Sequence, residues 1–225
     1  MSYNTIIFDF DDTIVSTKHK HIRSFIEAAK KSGLTIKKEE VKKIYGLPTL
    51  VMLEKIFPDE TKSTLKKISL EKDKAYRKIV HSEGIKLLPG IKSLLEHIRK
   101  KGVKTGIMSA DKSKNIKLVL RKNGILEYFE EIIGADVVSS HKPNPDGLQK
   151  TAKKMKVKSK NCVFVGDSEY DMLAARRAKM FAVGITTGFY SKKKLQEKGA
   201  KLVFNKHSDI LNAIKSGKIK LKTNC

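Results

Sequence analysis

Apolar residues recur along this chain with two different periods, and the period changes near residue 84. From Asn4 to Asp9 the run is short and nearly continuous (Ile6, Ile7, Phe8), the pattern of a strand buried on both faces. From Ser16 to about Glu83 the spacing is helical, with hardly a strand signal. HIRSFIEAAKKSG places Ile22, Phe25, Ile26 and Ala29 on one face, with Gly33 as its stop. VMLEKIF is a second helical piece closed by Pro58, and Asp59 and Thr61 offer caps for a long polar helix through LKKISLEKDKAYRKIV. After Gly84 helices and strands alternate. LLPGIKSLLEHIRKKG predicts a helix with Pro89 near its start and Gly102 past its end. VKTGIMSA then reads as a strand, KSKNIKLVLRKNG as a helix and EEIIGADVV as a strand with its turn. NPDGLQKTAKKMK is a helix, NCVFVGD a strand, EYDMLAARRAKM a helix and FAVGITTG a strand. The closing SGKIKLKTNC is polar and basic and is expected to fray.

This alternation implies an α/β protein with a doubly wound, Rossmann-like parallel sheet covered on both faces. The first strand has no partner in the helical stretch, so it joins the later sheet and the helical block is an insertion. The expected domains are an α/β core of residues 1–15 plus 85–225 and an all-α cap of residues 16–84. A chain of 225 residues can bury a substantial core in this arrangement. No run reaches the roughly 20 apolar residues of a membrane span. Asp9 interrupts the early apolar run, which argues against a signal peptide. Cys162 lies in the apolar run CVFVG and Cys225 is the last residue, so a disulfide framework is not expected; the reading is a reducing, cytoplasmic compartment.

The formal net charge of +24 leaves two readings open. One is a polyanion partner such as nucleic acid, the other a lysine-rich solvated surface. The lysines are scattered through KKEEVKK, STLKK, IRKKG, TAKKMKVKSK and YSKKK, arginine is scarce, and no aromatic-rich basic motif for stacking bases occurs. The solvated surface is therefore the first reading and nucleic acid the second. No heptad pattern argues for a defined oligomer, and monomer and dimer both stay open.

Ligands of open parallel sheets bind outside the carboxyl ends of the strands. Those ends carry Asp9 and Asp11 after the first strand, Ser109 after IMS, Asp167 after VFVGD, and Lys142 after ADVVSSHK. One edge thus collects carboxylates, a hydroxyl and a lysine. Oxygen ligands suit Mg²⁺, while Lys and Ser hold anionic oxygens, so the set can bind a divalent cation and a phosphate together.

These residues resemble a known family. DFDDT from Asp9 to Thr13, Ser109, the run HKPNPDGL with Lys142, and GDSEYD from Asp167 to Asp171 are similar, in order and spacing, to the four motifs of the haloacid dehalogenase superfamily. LPGIKSLLEHIRKKG and VGDSEYDMLAARRAKM resemble its phosphoglycolate-phosphatase-like branch. The resemblance spans nearly the whole core and is weaker in the cap. It implies that Asp9 is a nucleophile forming an aspartyl-phosphate, and that Asp11 protonates the leaving oxygen and later deprotonates the attacking water. It implies a Mg²⁺ site from Asp9, the backbone carbonyl of Asp11, and Asp167, with Asp171 in support. Ser109 and Lys142 would bind the phosphoryl oxygens, and Thr13 would secure the loop. Asp12 fits a turn role better than catalysis.

Ala110 stands where the family often has Asn, Ser16 where Asp is frequent, and Lys179 where the branch usually has Gly, so the helix before Lys179 must end by other means. The resemblance favours Mg²⁺-dependent hydrolysis of a small phosphorylated substrate: phosphoglycolate, a sugar phosphate, a nucleotide or pyrophosphate. A β-phosphoglucomutase-like phosphomutase and a basic nucleic-acid-binding protein on the same fold are the alternatives. Specificity is expected from the cap. YGLPT, with Tyr45 and Gly46, is either a substrate-facing loop or a plain helix connection. His21 lies near a functional histidine of some mutases, although such a histidine is more often a partly exposed surface residue.

Overall fold

A computed structural model describes residues 2–222. The chain divides into two compact units, one running up to Val15 and resuming at Leu87, the other comprising Ser16–Lys86. The elements begin with β1 (Thr5–Phe8), α1 (Lys18–Lys31), α2 (Lys38–Lys43), α3 (Thr49–Ile56), α4 (Lys62–Glu83), α5 (Ile91–Lys100) and β2 (Lys104–Met108). They continue with α6 (Ser113–Lys122), β3 (Glu131–Ile133), α7 (Asp146–Lys154), β4 (Cys162–Gly166) and α8 (Glu169–Arg177). The last are β5 (Phe181–Ile185), α9 (Lys192–Glu197), β6 (Leu202–Phe204) and α10 (His207–Lys215).

In the first unit six strands form one parallel sheet in the order β3-β2-β1-β4-β5-β6. β1 lies between β2 and β4, with Phe8 opposite Ile107 on one side and Val165 on the other. Strand order reverses at β1, so the loops leaving neighbouring strands diverge and open a crevice at the carboxyl edge. Both faces of the central strands are covered, which is why β1 reads as an unbroken apolar run. Ile7, Met108 and Phe164 pack with Leu148 and Ala152 of α7, Met172 and Ala175 of α8, and Leu195 of α9. By alternation Ile6, Phe8, Val163 and Val165 face the other side, where they are equally buried.

Three features differ from the sequence reading. Pro89 lies outside its helix: Gly90 takes a left-handed φ of 84° as the N-cap, and a helix can begin only after it. The stretch after FAVGITTG also forms α9, β6 and α10; β6 is a half-buried three-residue edge strand, too short for periodicity to reveal. The tail is pinned as far as it is described. Ile219 is buried, Tyr3 N–H donates to Lys220 O at 2.8 Å, and Lys222 N–H donates to Tyr3 O at 2.8 Å. The alternation in KIKLK supplies the strand-like face that its overall polarity hides. Cys225 lies outside the described residues.

The missing glycine after α8 is answered by Lys179 itself, which adopts φ 58°. Its N–H donates to Arg176 O, and the Met180 N–H donates to Ala175 O at 2.9 Å. The helix ends through the left-handed turn that glycine normally supplies, at a cost of roughly 1–2 kcal/mol.

The second unit is helical throughout, and α1 packs on α4. α1 buries Ile22, Phe25, Ala28 and Ala29, whereas Ile26 is 39% exposed, so the apolar stripe runs through Ala28 instead. At the start of α4, Thr61 Oγ1 accepts a hydrogen bond from Thr64 N–H at 3.1 Å, which makes Thr61 the cap in preference to Asp59. Among the described residues no helix is long and apolar enough to cross a membrane.

Candidate active site

Three adjacent strands end in residues of interest: β2 in Ser109, β1 in Asp9 and β4 in Asp167, each one position past the last strand residue. Asp9 N–H donates to Val165 O at 2.8 Å and Ser109 N–H to Ile133 O at 3.0 Å, so the ladder bonds fix both backbones. Beyond Asp9 the chain turns at once. Ile14 N–H donates to Phe10 O at 2.8 Å and Asp12 N–H to Val15 O at 2.7 Å, with Asp12 at φ 53°. The turn separates Asp9, which is buried, from Asp11, which is half-buried. Asp12 is buried and its carbonyl accepts a hydrogen bond from the Thr187 hydroxyl.

Lys142 is buried and ties the site together. Its Nζ donates to Asp9 Oδ1 at 2.5 Å and to Asp171 Oδ1 at 2.6 Å. Asp171 is oriented by the start of α8: its Oδ2 accepts from Ser168 N–H at 2.9 Å and from Ser168 Oγ at 2.6 Å, while Ser168 Oγ accepts from Asp171 N–H. This capping box leaves Oδ1 aimed at the ammonium. A Cβ on Gly166 would come within 2.6 Å of Asp171 Cβ, so glycine at the end of β4 makes room for that carboxylate.

Asp167 is held differently. Thr13 Oγ1 donates to its Oδ1 at 3.3 Å, and its buried Oδ2 has no hydrogen-bond partner. A Cβ on Gly188 would lie 1.8 Å from that oxygen, so the second glycine keeps the space around it clear. One oxygen each from Asp9, Asp167 and Asp171 lie within 4.8 Å of one another. Three buried carboxylates so close, one with an unanswered oxygen, have the donor chemistry for a hard divalent cation.

The electrostatics agree with that chemistry. Burial raises the Asp9 carboxyl; Lys142 pulls it down, Asp171 and Asp11 raise it further, and the balance is pushed up to about 8. Asp167 is raised well above the ordinary carboxylate range by burial, then by Asp171, Asp9 and Asp12, with Lys142 opposing. Burial would lower Lys142, but the charges of Asp171 and Asp9 and its hydrogen bonds to them outweigh it and hold it above its usual value. Without a cation the cluster favours extra protons; with one, it would release them.

The structure therefore brings Asp9, Lys142, Asp167, Asp171 and Thr13 together in one cluster, Lys142 bonded to Asp9 and Asp171 and Thr13 to Asp167. Ser109 is buried at the neighbouring strand end, and its Oγ accepts from Asp111 N–H at 3.0 Å, which leaves its own proton to donate. Tyr45, Gly46 and His21 belong to the second unit. His21 is buried there, stacked on Tyr76 with ring centroids 4.1 Å apart and edge-on to Tyr45 at 6.0 Å; it is not the partly exposed surface histidine expected. Gly46 sits at φ 104°, next to Tyr45.

Two supporting residues escaped the sequence reading. Ser168 was legible in principle, because SEYD has the spacing of a capping box. His207 was not. Its Nε2 lies 2.7 Å from Thr13 O and its Nδ1 3.3 Å from Pro89 O, across 194 residues of chain in the first case. It anchors the turn that carries Thr13.

The family model described as haloacid dehalogenase-like hydrolase matches residues 6–185. A pyrophosphatase, PpaX, of Oceanobacillus iheyensis is 29% identical over 180 residues, covering 80% of this chain and 82% of its own. A phosphoglycolate phosphatase of Vibrio parahaemolyticus is 30% identical over 128 residues, 57% of this chain and 56% of its own. Among solved structures, a hydrolase from Pseudomonas syringae superposes with a TM-score of 0.86 at 27% identity, covering 96% of this chain and 99% of its own. With a family match over most of its length and the fold shared, the chain belongs to the haloacid dehalogenase-like hydrolases and is an enzyme of phosphohydrolase type.

Proposed function

We propose that this enzyme is a Mg²⁺-dependent phosphatase of a small phosphorylated metabolite, acting through an aspartyl-phosphate at Asp9. The observation that carries the reading is the buried Lys142 ammonium joining Asp9 and Asp171 beside the unanswered oxygen of Asp167. Lys142 engages Asp9 Oδ1, which leaves Oδ2 to attack phosphorus. As that bond forms, the bond to the leaving oxygen breaks and Asp11 gives the oxygen its proton. In the second half Asp11 takes a proton from water, water attacks phosphorus, and the bond to Asp9 breaks. Lys142 and the Ser109 hydroxyl face the charge that develops on the phosphoryl oxygens, and Asp171 positions Lys142. Asp9, Asp167 and the Asp11 carbonyl would hold Mg²⁺, which when bound offsets the charge of the carboxylates and of the phosphoryl group.

The names of the relatives support placing pyrophosphate and phosphoglycolate first among substrates, followed by sugar phosphates and nucleotides. The test is phosphate release from this panel with wild type, with Asp9→Asn, and with chelator. Release that requires Mg²⁺ and is abolished by Asp9→Asn is expected. Release surviving in Asp9→Asn would overturn the covalent mechanism. Transfer of phosphoryl to a hexose phosphate in place of water would make the protein a mutase.

A further inference from the structure

The two edges of the sheet differ in charge. The carboxyl edge gathers the aspartates described above; the amino edge gathers lysines. A cavity of about 500 Å³ opens there, lined by Asn4 before β1, Lys104 at the start of β2, and Lys156, Val157, Lys158, Lys160 and Asn161 ahead of β4. Lys104 Nζ is 3.2 Å from Glu130. Among the described residues no carboxylate lies within ion-pair distance of Lys156, Lys158 or Lys160, so the cavity wall carries three uncompensated ammonium groups. The surroundings add charge of the same sign. The tail segment paired with Tyr3 brings in Lys220 and Lys222 beside Asn4, and Lys201 immediately precedes β6.

Like charges lining one wall repel one another, and a concave wall concentrates their field. The cavity offers almost nothing apolar: Val157 is its one aliphatic side chain and no aromatic ring lines it. Ligand pockets for drug-like or nucleobase-bearing molecules are mostly apolar or aromatic. This wall instead matches a ligand that is compact, densely anionic and without an apolar part. Lysine ammonium groups bind phosphate as point charges, and the Asn4 and Asn161 carboxamides can add neutral hydrogen bonds.

We propose that the amino edge of the sheet holds a second anion site, for a small oligophosphate of two or more linked phosphoryl groups, separate from the site at Asp9. Strand β4 connects the two, running from beside Asn161 to beside Asp167. Its five residues set them roughly 16 Å apart. A ligand here therefore leaves the catalytic edge free. The proposal accounts for a cluster of lysines that the phosphatase reading does not use.

The test is a ¹H–¹⁵N NMR titration of the metal-free, chelator-treated protein with tripolyphosphate, and in parallel with orthophosphate. Shifts should cluster at the amides of Asn4, Val157, Lys158 and Asn161, with tripolyphosphate binding more tightly than orthophosphate. K156E/K158E/K160E should weaken tripolyphosphate binding about tenfold or more. K62E/K66E/K67E, an equal charge reversal on exposed residues of the helical unit, should change it less than about twofold. Equal loss in both triple variants would show that only diffuse net charge is at work. Shifts confined to Ser109, Asp11 and Ser168 would place the anion in the catalytic site. Saturable binding of duplex DNA with a steep salt slope, and none of tripolyphosphate, would make the edge a nucleic-acid surface. Each of these three results overturns the proposal, and the wild-type shift map decides it even if a variant fails to fold.

Discussion

Replacing Lys142 with Met removes an ammonium and keeps a side chain of similar length. In the native protein that ammonium sits 2.5 Å from Asp9 and 2.6 Å from Asp171, with almost no exposure. Breaking a buried ion pair by removing one partner costs about 3–5 kcal/mol when the stranded charge cannot be quenched. Here it can be, because Asp9 already binds a proton up to about pH 8, and losing the Lys142 charge that pulls its carboxyl down would raise it further. The cost must therefore depend on pH. Unfolded carboxylates ionise near pH 4, so between pH 4 and the raised native values the native state holds more protons than the unfolded chain. Native stability then falls as pH rises, by about 1.4 kcal/mol per pH unit for each extra proton. Above about pH 8 the wild-type Asp9 gives up its proton while the Lys142→Met variant keeps it, a difference of about one such proton. The destabilisation should be about 1–2 kcal/mol at about pH 7 and grow to about 3–4 kcal/mol by about pH 9.5. Urea unfolding followed by far-ultraviolet circular dichroism, in chelator at both pH values, measures it. A difference that is the same at both pH values, or below about 1 kcal/mol at the higher one, would refute the picture of an ammonium neutralising a buried carboxylate cluster.

Three further outcomes follow from the same structure. Lys179→Gly should stabilise the protein by about 0.5–1 kcal/mol in thermal unfolding, because Lys179 holds a left-handed φ of 58°; a loss of stability would contradict the assignment of strain to that turn. His207→Phe fills the buried space but leaves the Thr13 carbonyl without its donor, and should cost about 1–3 kcal/mol, part of which His207→Gln restores; equal behaviour of the two variants would remove the hydrogen bond from the account. Mg²⁺ binding should displace protons from Asp9 and Asp167, so affinity rises from about pH 6 to about pH 8 and calorimetric enthalpies depend on the buffer; a buffer-independent enthalpy would contradict it.

Much of the fold is written in local pattern. The switch from helical spacing to alternating strands and helices near Gly84 is visible because β2, β4 and β5 are long enough, and buried enough, to show as apolar runs. β6 escapes because three half-buried residues carry no period, and the tail escapes because Ile219 and Leu221 are diluted by lysines. Spacing puts Ile26 on the buried face of α1, where a hydrophobic side chain at i+4 normally belongs, yet it is exposed and the smaller Ala28 is buried instead. At the candidate site, strand ends located Asp9, Ser109 and Asp167 because ladder geometry converts sequence position into spatial position. Which oxygen each aspartate offers was not legible. That is decided by contacts across the chain: Lys142 with Asp171, Thr13 with Asp167, and His207 with Thr13.

The covalent role of Asp9 is the claim on which the functional reading stands. Acid quenching of the enzyme during turnover with Mg²⁺ and its best substrate, followed by borohydride reduction and peptide mass spectrometry, tests it directly, because an acyl phosphate is reduced to an alcohol. The account predicts homoserine at position 9, formed only when Mg²⁺ and substrate are both present. An unmodified Asp9 peptide from enzyme that is releasing phosphate, with the reduced residue found elsewhere, would contradict it.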